Sequence, residues 1–98
     1  MAKVHDPITP GEILLTEFLE PLGITQYRLA QATGLPQTRI SEVVRGKRAI
    51  TADTALRLSK ALGVDDRFWI NIQTDYDLEV KRDLHADELA KVTALVAS

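Results

Sequence analysis

Between Thr25 and Ile50 the chain reads TQYRLAQATGLPQTRISEVVRGKRAI: two short apolar patterns at helical spacing, held apart by one glycine, Gly34. Leu29 and Ala30 face inward on the first segment, and Ile40, Val43 and Val44 form one stripe on the second. Thr25 stands where a helix cap belongs, Gly34 reads as a left-handed stop, Pro36 suits a first helical turn, and Gly46 ends the second segment. Two helices this short and this closely joined cross at a tight turn. The crossing calls for a small residue near the turn, supplied by Gly34, and a small inward residue, supplied by Ala30.

The rest of the chain reads as helix too. Thr9-Pro10-Gly11-Glu12 is a helix start, with threonine as cap, proline at the first helical position and glutamate three residues after the cap. Ile13, Leu14 and Phe18 recur at helical spacing, and Pro21 disfavours helical backbone at Glu20, which predicts an end near Leu19. Thr51 caps a fourth helix with Ala55, Leu58 and Leu62 on one face, closed by Gly63. Asp65-Asp66 open a fifth, with Phe68, Trp69, Ile72 and Tyr76 on one side. DLHADELAKVTALVAS predicts a further helix with Leu89, Val92 and Val96 on one face. No alternating strand pattern competes. The expected fold is all-α: five helices containing a helix-turn-helix over residues 25–46, plus a C-terminal helical extension over 80–98, in a single domain spanning 1–98.

Charge is unevenly placed along the 98 residues. The net charge is −2, yet Arg28, Arg39, Arg45, Lys47, Arg48, Arg57 and Lys60 stand against only Glu42 and Asp53 in the middle of the chain. Both ends are acidic. A basic middle between acidic ends points to a polyanion met by the middle alone. A helix-turn-helix accounts for it, because its second helix enters the major groove while its flanks lie along phosphates. The outer face of that helix offers Gln37, Thr38, Arg39 and Ser41 as base-contacting residues. Glutamine can pair with adenine, arginine with guanine, and the threonine methyl can meet thymine. Gln26, at the start of the preceding helix, and Arg45, Lys47 and Arg48, at and beyond the end of the second, suit phosphates.

Three motifs carry a resemblance to a known family. PGEIL at 10–14, ITADTALRLSKALG at 50–63 and FWINIQTDYDLE at 68–79 resemble the host-inhibition-of-growth (HigA) type antitoxins, a branch of the phage-repressor-like helix-turn-helix proteins. The similarity runs from about Ile8 to Glu79. It implies a five-helix phage-repressor-like domain that acts as a homodimer, represses its own operon at double-stranded operator DNA and neutralises a small basic ribonuclease toxin that cuts messenger RNA. Thr9 replaces the usual histidine before PGEI, and Leu35-Pro36 stand where a serine or threonine usually caps the recognition helix. A stand-alone repressor without a toxin, or a helix-turn-helix protein adaptor, are the alternative readings. The dimer surface is expected at the C-terminal end, through Tyr76, Leu78, Leu84, Leu89, Val92 and Leu95, which exceed the apolar surface a terminal helix needs for its own domain.

The sequence argues against an enzyme. His5 and His85 are far apart and fit no metal-ligand spacing, cysteine is absent, and no phosphate-cradling glycine loop occurs. No metal and no cofactor are expected. Phe68 and Trp69 read as core packing rather than a ligand platform, and His85 as a surface residue near a helix start. No apolar run approaches the length of a membrane helix, and no signal peptide is apparent, so a cytoplasmic protein with no membrane partner is expected.

Overall fold

The computed structural model describes residues 6–97, in which every regular element is helical. His5 lies outside the described residues. Thr9 Oγ1 accepts the Glu12 N–H at 3.1 Å, and Pro10 takes the first helical position as expected. The pieces Pro10–Ile13, Leu14–Leu19 and Glu20–Leu22 then follow one another without a break and together form α1 (residues 10–22). Pro21 does not end this helix near Leu19. The middle piece is π-helical, with the Glu20 N–H donating back to the Leu15 carbonyl, and the helix stops only at Gly23, whose φ is 65°. Proline in a regular helix crowds the carbonyl four residues earlier, here that of Glu17. The wider π turns around Glu17 give the ring its room.

Four more helices follow: α2 (Gln26–Thr33), α3 (Gln37–Val44), α4 (Ala52–Leu62) and α5 (Phe68–Leu84). Thr25 and Thr51 cap α2 and α4 through their hydroxyls, and left-handed Gly34 and Gly63 close them. Pro36 stands at the cap of α3 rather than in its first turn, because its ψ of 144° is extended. The Asp65 carboxylate accepts the Arg67 N–H at 2.8 Å and so shapes the turn before α5, which begins at Phe68 and not at Asp65-Asp66.

The core is assembled from one stripe of each helix. Leu14, Leu29, Ile40, Val43, Leu58 and Trp69 are all at most 2% exposed. Phe18, Phe68 and Trp69 form an aromatic triangle with centroids 5.1 to 5.7 Å apart, within the range of favourable ring pairs, so Phe68 and Trp69 pack in the core as expected. α1 packs on α3 and α5, α2 on α3 and α4, and α4 on α5.

The C-terminal end departs from expectation. Of the expected extension, residues 80–84 continue α5 and a separate short helix, α6 (Ala86–Ala90), follows, while Val92 and Val96 lie beyond it in irregular chain. A helix this short is marginal unless it packs on something, and the β-branched Val92 and Thr93 do not favour its continuation. Leu84, Leu89, Val92 and Leu95 are between 50% and 93% exposed. The radius of gyration, 16.2 Å, exceeds the roughly 13 Å of a compact chain of this length. The C-terminal segment therefore does not fold back over its own core.

Candidate nucleic-acid interface

The turn between α2 and α3 is built by three independent devices. Gly34, at φ 73°, donates its N–H to the Ala30 carbonyl at 2.9 Å. The Thr33 hydroxyl donates to Leu29 O at 2.7 Å and accepts the Leu35 N–H at 3.4 Å. From α4, Arg57 Nη1 donates to the Thr33 carbonyl at 2.7 Å while its Nε pairs with Asp53 at 2.9 Å. Arg57, counted among the basic residues of the middle, thus holds the turn. Gly34 serves its positive φ rather than a close helix crossing, since a methyl there would meet only the Arg57 guanidinium, at 3.2 Å. The close approach occurs elsewhere, where Gly11 of α1 lies against the backbone of Val43 and Val44 in α3. Ala30 is buried, as its inward role requires.

With Ile40 and Val43 in the core, α3 turns its other face outward. Gln37 and Thr38 are exposed at its first turn, and Arg39 and Ser41, both half-buried, flank them. Pro36 has no side chain able to cap, so the Gln37 and Thr38 N–H groups keep their outward-facing donors. Gln26 is the first residue of α2.

Beyond α3 the chain makes a Schellman stop: the Gly46 N–H donates to Val43 O at 3.0 Å and the Lys47 N–H to Glu42 O at 2.8 Å, with Gly46 at φ 73°. This throws Arg45, Lys47 and Arg48 into solvent on one short arch. They are not equivalent. Arg45 Nε reaches back to the Ser41 carbonyl at 3.4 Å, and Arg48 Nε pairs with Glu42 at 2.8 Å. Lys47 has no ion-pair partner among the described residues. The arch therefore presents one uncommitted ammonium and two guanidiniums that hold light local contacts.

This geometry has relatives. The chain matches the helix-turn-helix family over residues 15–69. It is 40% identical over 92 residues to antitoxin HigA-1 of Vibrio cholerae serotype O1, covering 94% of this chain and 87% of that one. The chain belongs to the HigA branch of the helix-turn-helix family. Virulence-associated protein I of Dichelobacter nodosus is 51% identical to this HigA-branch chain over 73 residues, 74% of this chain and 68% of the other. The solved structure of antitoxin GraA in complex with its operator superposes with a TM-score of 0.86 at 38% identity, covering 99% of both chains. The all-α helix-turn-helix expectation and the HigA resemblance both hold.

The residues named from sequence fall into two groups. Gln26, Gln37, Thr38, Arg39, Ser41, Arg45, Lys47 and Arg48 lie on α2, α3 and the arch that continues α3. Tyr76, Leu78, Leu84, Leu89, Val92 and Leu95 lie on α5, α6 and the tail, with only Tyr76 half-buried and the others exposed. His85 sits at the start of α6, where its Nδ1 is 2.8 Å from Glu88 Oε1. Sequence reasoning missed Gln73, a buried polar residue on the inward stripe of α5 one turn after Trp69. The available signal was the polar residue in an otherwise apolar helical face. No helix among the described residues is long and apolar enough to cross a membrane.

Proposed function

We propose that this chain is the antitoxin of a toxin–antitoxin pair, a homodimer that binds the operator of its own operon and neutralises a small basic ribonuclease toxin. The observation that carries the DNA half is the outward polar face of α3 continued by the basic arch, on a chain whose relatives include antitoxin HigA-1 and operator-bound GraA. α3 lies in the major groove, with Gln37, Thr38, Arg39 and Ser41 toward base edges. Gln26, Arg45, Lys47 and Arg48 bind the phosphates on either side. One such helix covers too few base pairs for an operator, so two copies bind half-sites about 34 Å apart or a multiple of that. The surface that joins them includes Leu78, Leu84, Leu89, Val92 and Leu95, all of which stand exposed on their own subunit. The activity is binding, not catalysis, and its place is the cytoplasm.

The test has two arms. A salt-dependent gel shift with the DNA upstream of the chain's own gene, against random duplex of equal length, reads specific binding. Co-expression with the product of the neighbouring reading frame, followed by size-exclusion chromatography, reads the toxin complex. Equal affinity for both duplexes would sink the repressor reading. Failure to co-elute with any small basic neighbour would leave a repressor without a toxin.

A further inference from the structure

We infer that Gln73 is the positioning residue for the basic arch: its amide clamps the arch to α5 and holds Lys47 and Arg48 where phosphates can be reached. The inference rests on the DNA reading above and names a residue that makes no contact with DNA itself.

The arch is fastened at its first end by the Schellman stop at Gly46 and Lys47. Its other end is Ile50, 2% exposed, just before the Thr51 cap of α4. The Ile50 N–H donates to Gln73 Oε1 at 2.7 Å across 23 residues of sequence. Gln73 Nε2 in turn donates to Asp77 Oδ1 at 2.9 Å, one turn further along α5. The orientation of this amide is determined by its partners. A backbone N–H needs an acceptor and a carboxylate needs a donor, so the flipped amide would face donor to donor and acceptor to acceptor. Asp77 therefore sets the rotamer and Gln73 transmits it to the loop.

Apolar packing does not do this job along the arch. Lys47, Arg48 and Ala49 are exposed, and a hollow of about 180 Å³ lies between them and Thr9, Pro10, Val43, Gln73 and Tyr76. Apart from the exposed Arg48–Glu42 ion pair, a loop standing over a hollow relies on its end fastenings to fix its height. At the α4 end the buried Ile50 side chain anchors in the core, and Gln73, itself 6% exposed, supplies the polar fastening through the Ile50 N–H. Without it a buried N–H at Ile50 loses its partner, which favours loop positions that bring the amide to water.

The experiment compares operator affinity and its salt dependence for wild type, Gln73→Met, Asp77→Ala and the double variant Gln73→Glu with Asp77→Asn, using the upstream duplex. Gln73→Met keeps length and removes both hydrogen bonds. It should weaken operator binding about tenfold and flatten the slope of log K against log salt by about one per subunit, as a phosphate contact is lost. The double variant carries the same net charge as wild type and restores both bonds, since the introduced carboxylate accepts from the Ile50 N–H and from the new amide. Affinity and slope should both return. A role in stability alone would lower the melting temperature and leave the slope of the folded protein unchanged.

Should Gln73→Met fail to fold, Asp77→Ala decides, because Asp77 is exposed and its loss spares the core. It should speed exchange of the Ile50 amide hydrogen and flatten the slope part-way. An unchanged slope in folded Gln73→Met or in Asp77→Ala overturns the inference, as does a double variant that stays weak. Lys47→Ala separates the two levels. If Lys47→Ala alters the slope and the Gln73 variants do not, only the clamp is wrong; if Lys47→Ala also binds like wild type, the arch does not meet phosphates at all.

Discussion

A methyl group built on Gly11 would stand 2.7 Å from the carbonyl carbon of Val43 and 2.9 Å from Val44 Cα, so α1 and α3 touch backbone to backbone. The obstacle is main chain, which no rotamer change can move. Gly11→Ala must shift α3 on the core or unfold its last turn. Overpacking of this kind costs roughly 1–3 kcal/mol, and a backbone clash belongs at the upper end. Operator affinity should fall together with the melting temperature. Wild-type values of both, measured by fluorescence anisotropy and thermal unfolding, would show that α1 and α3 are not this close.

The polar face of α3 gives the second prediction. Gln37→Ala and Arg39→Ala should each weaken specific binding by roughly 1–3 kcal/mol and relax preference at separate base positions. Binding to a set of single-base operator variants reads this out. If both proteins bind like wild type while folded, α3 does not read bases.

The arch should act without sequence preference. Lys47→Ala should weaken operator and random duplex by similar factors and flatten the salt slope by about one per subunit. Arg48 begins paired with Glu42, both side chains being substantially exposed, so binding a phosphate exchanges one weak ion pair for another contact. Arg48→Ala should therefore cost less than Lys47→Ala, and Glu42→Gln should tighten DNA binding. Weaker binding by Glu42→Gln would mean that Glu42 orients Arg48 rather than competing for it.

Two buried polar atoms, Ser59 Oγ and Trp69 Nε1, have no hydrogen-bond partner among the described residues. An unpaired buried hydroxyl costs about 1–3 kcal/mol, and alanine suits a helix interior better than serine. Ser59→Ala should accordingly be neutral or stabilising by about 1 kcal/mol in denaturant unfolding. Trp69→Ala, which empties the aromatic triangle, should cost roughly 3–5 kcal/mol, most of the stability of a domain this size. A well-folded Trp69→Ala protein would place the ring outside the core.

Removal of residues 80–98 leaves the described core intact, since Trp69 and Gln73 both precede the cut. The truncated chain should be a folded monomer with weak operator binding, as measured by light scattering and gel shift. A truncated dimer would place the interface before the cut, around the part of α5 that carries Tyr76 and Leu78 or earlier. An unfolded product would mean that the tail stabilises its own subunit.

The helices were legible in the sequence because their signals are local. A threonine hydroxyl caps the next turn and a left-handed glycine stops the previous one, and neither depends on distant residues. The outward set on α3 was legible for the same reason, since helical periodicity alone separates Ile40 and Val43 from Gln37, Thr38 and Ser41. Pro21 misled because its local veto on helix was lifted by a π turn, a change of winding that no pattern announced. The tail misled in the opposite direction: its pattern is helical, but a short helix persists only where something packs on it. Gly11, Arg57 and Gln73 were decided by tertiary structure. Their partners, Val43, Thr33 and Ile50, lie 23 or more residues away, and no spacing along one helix records a contact made between two.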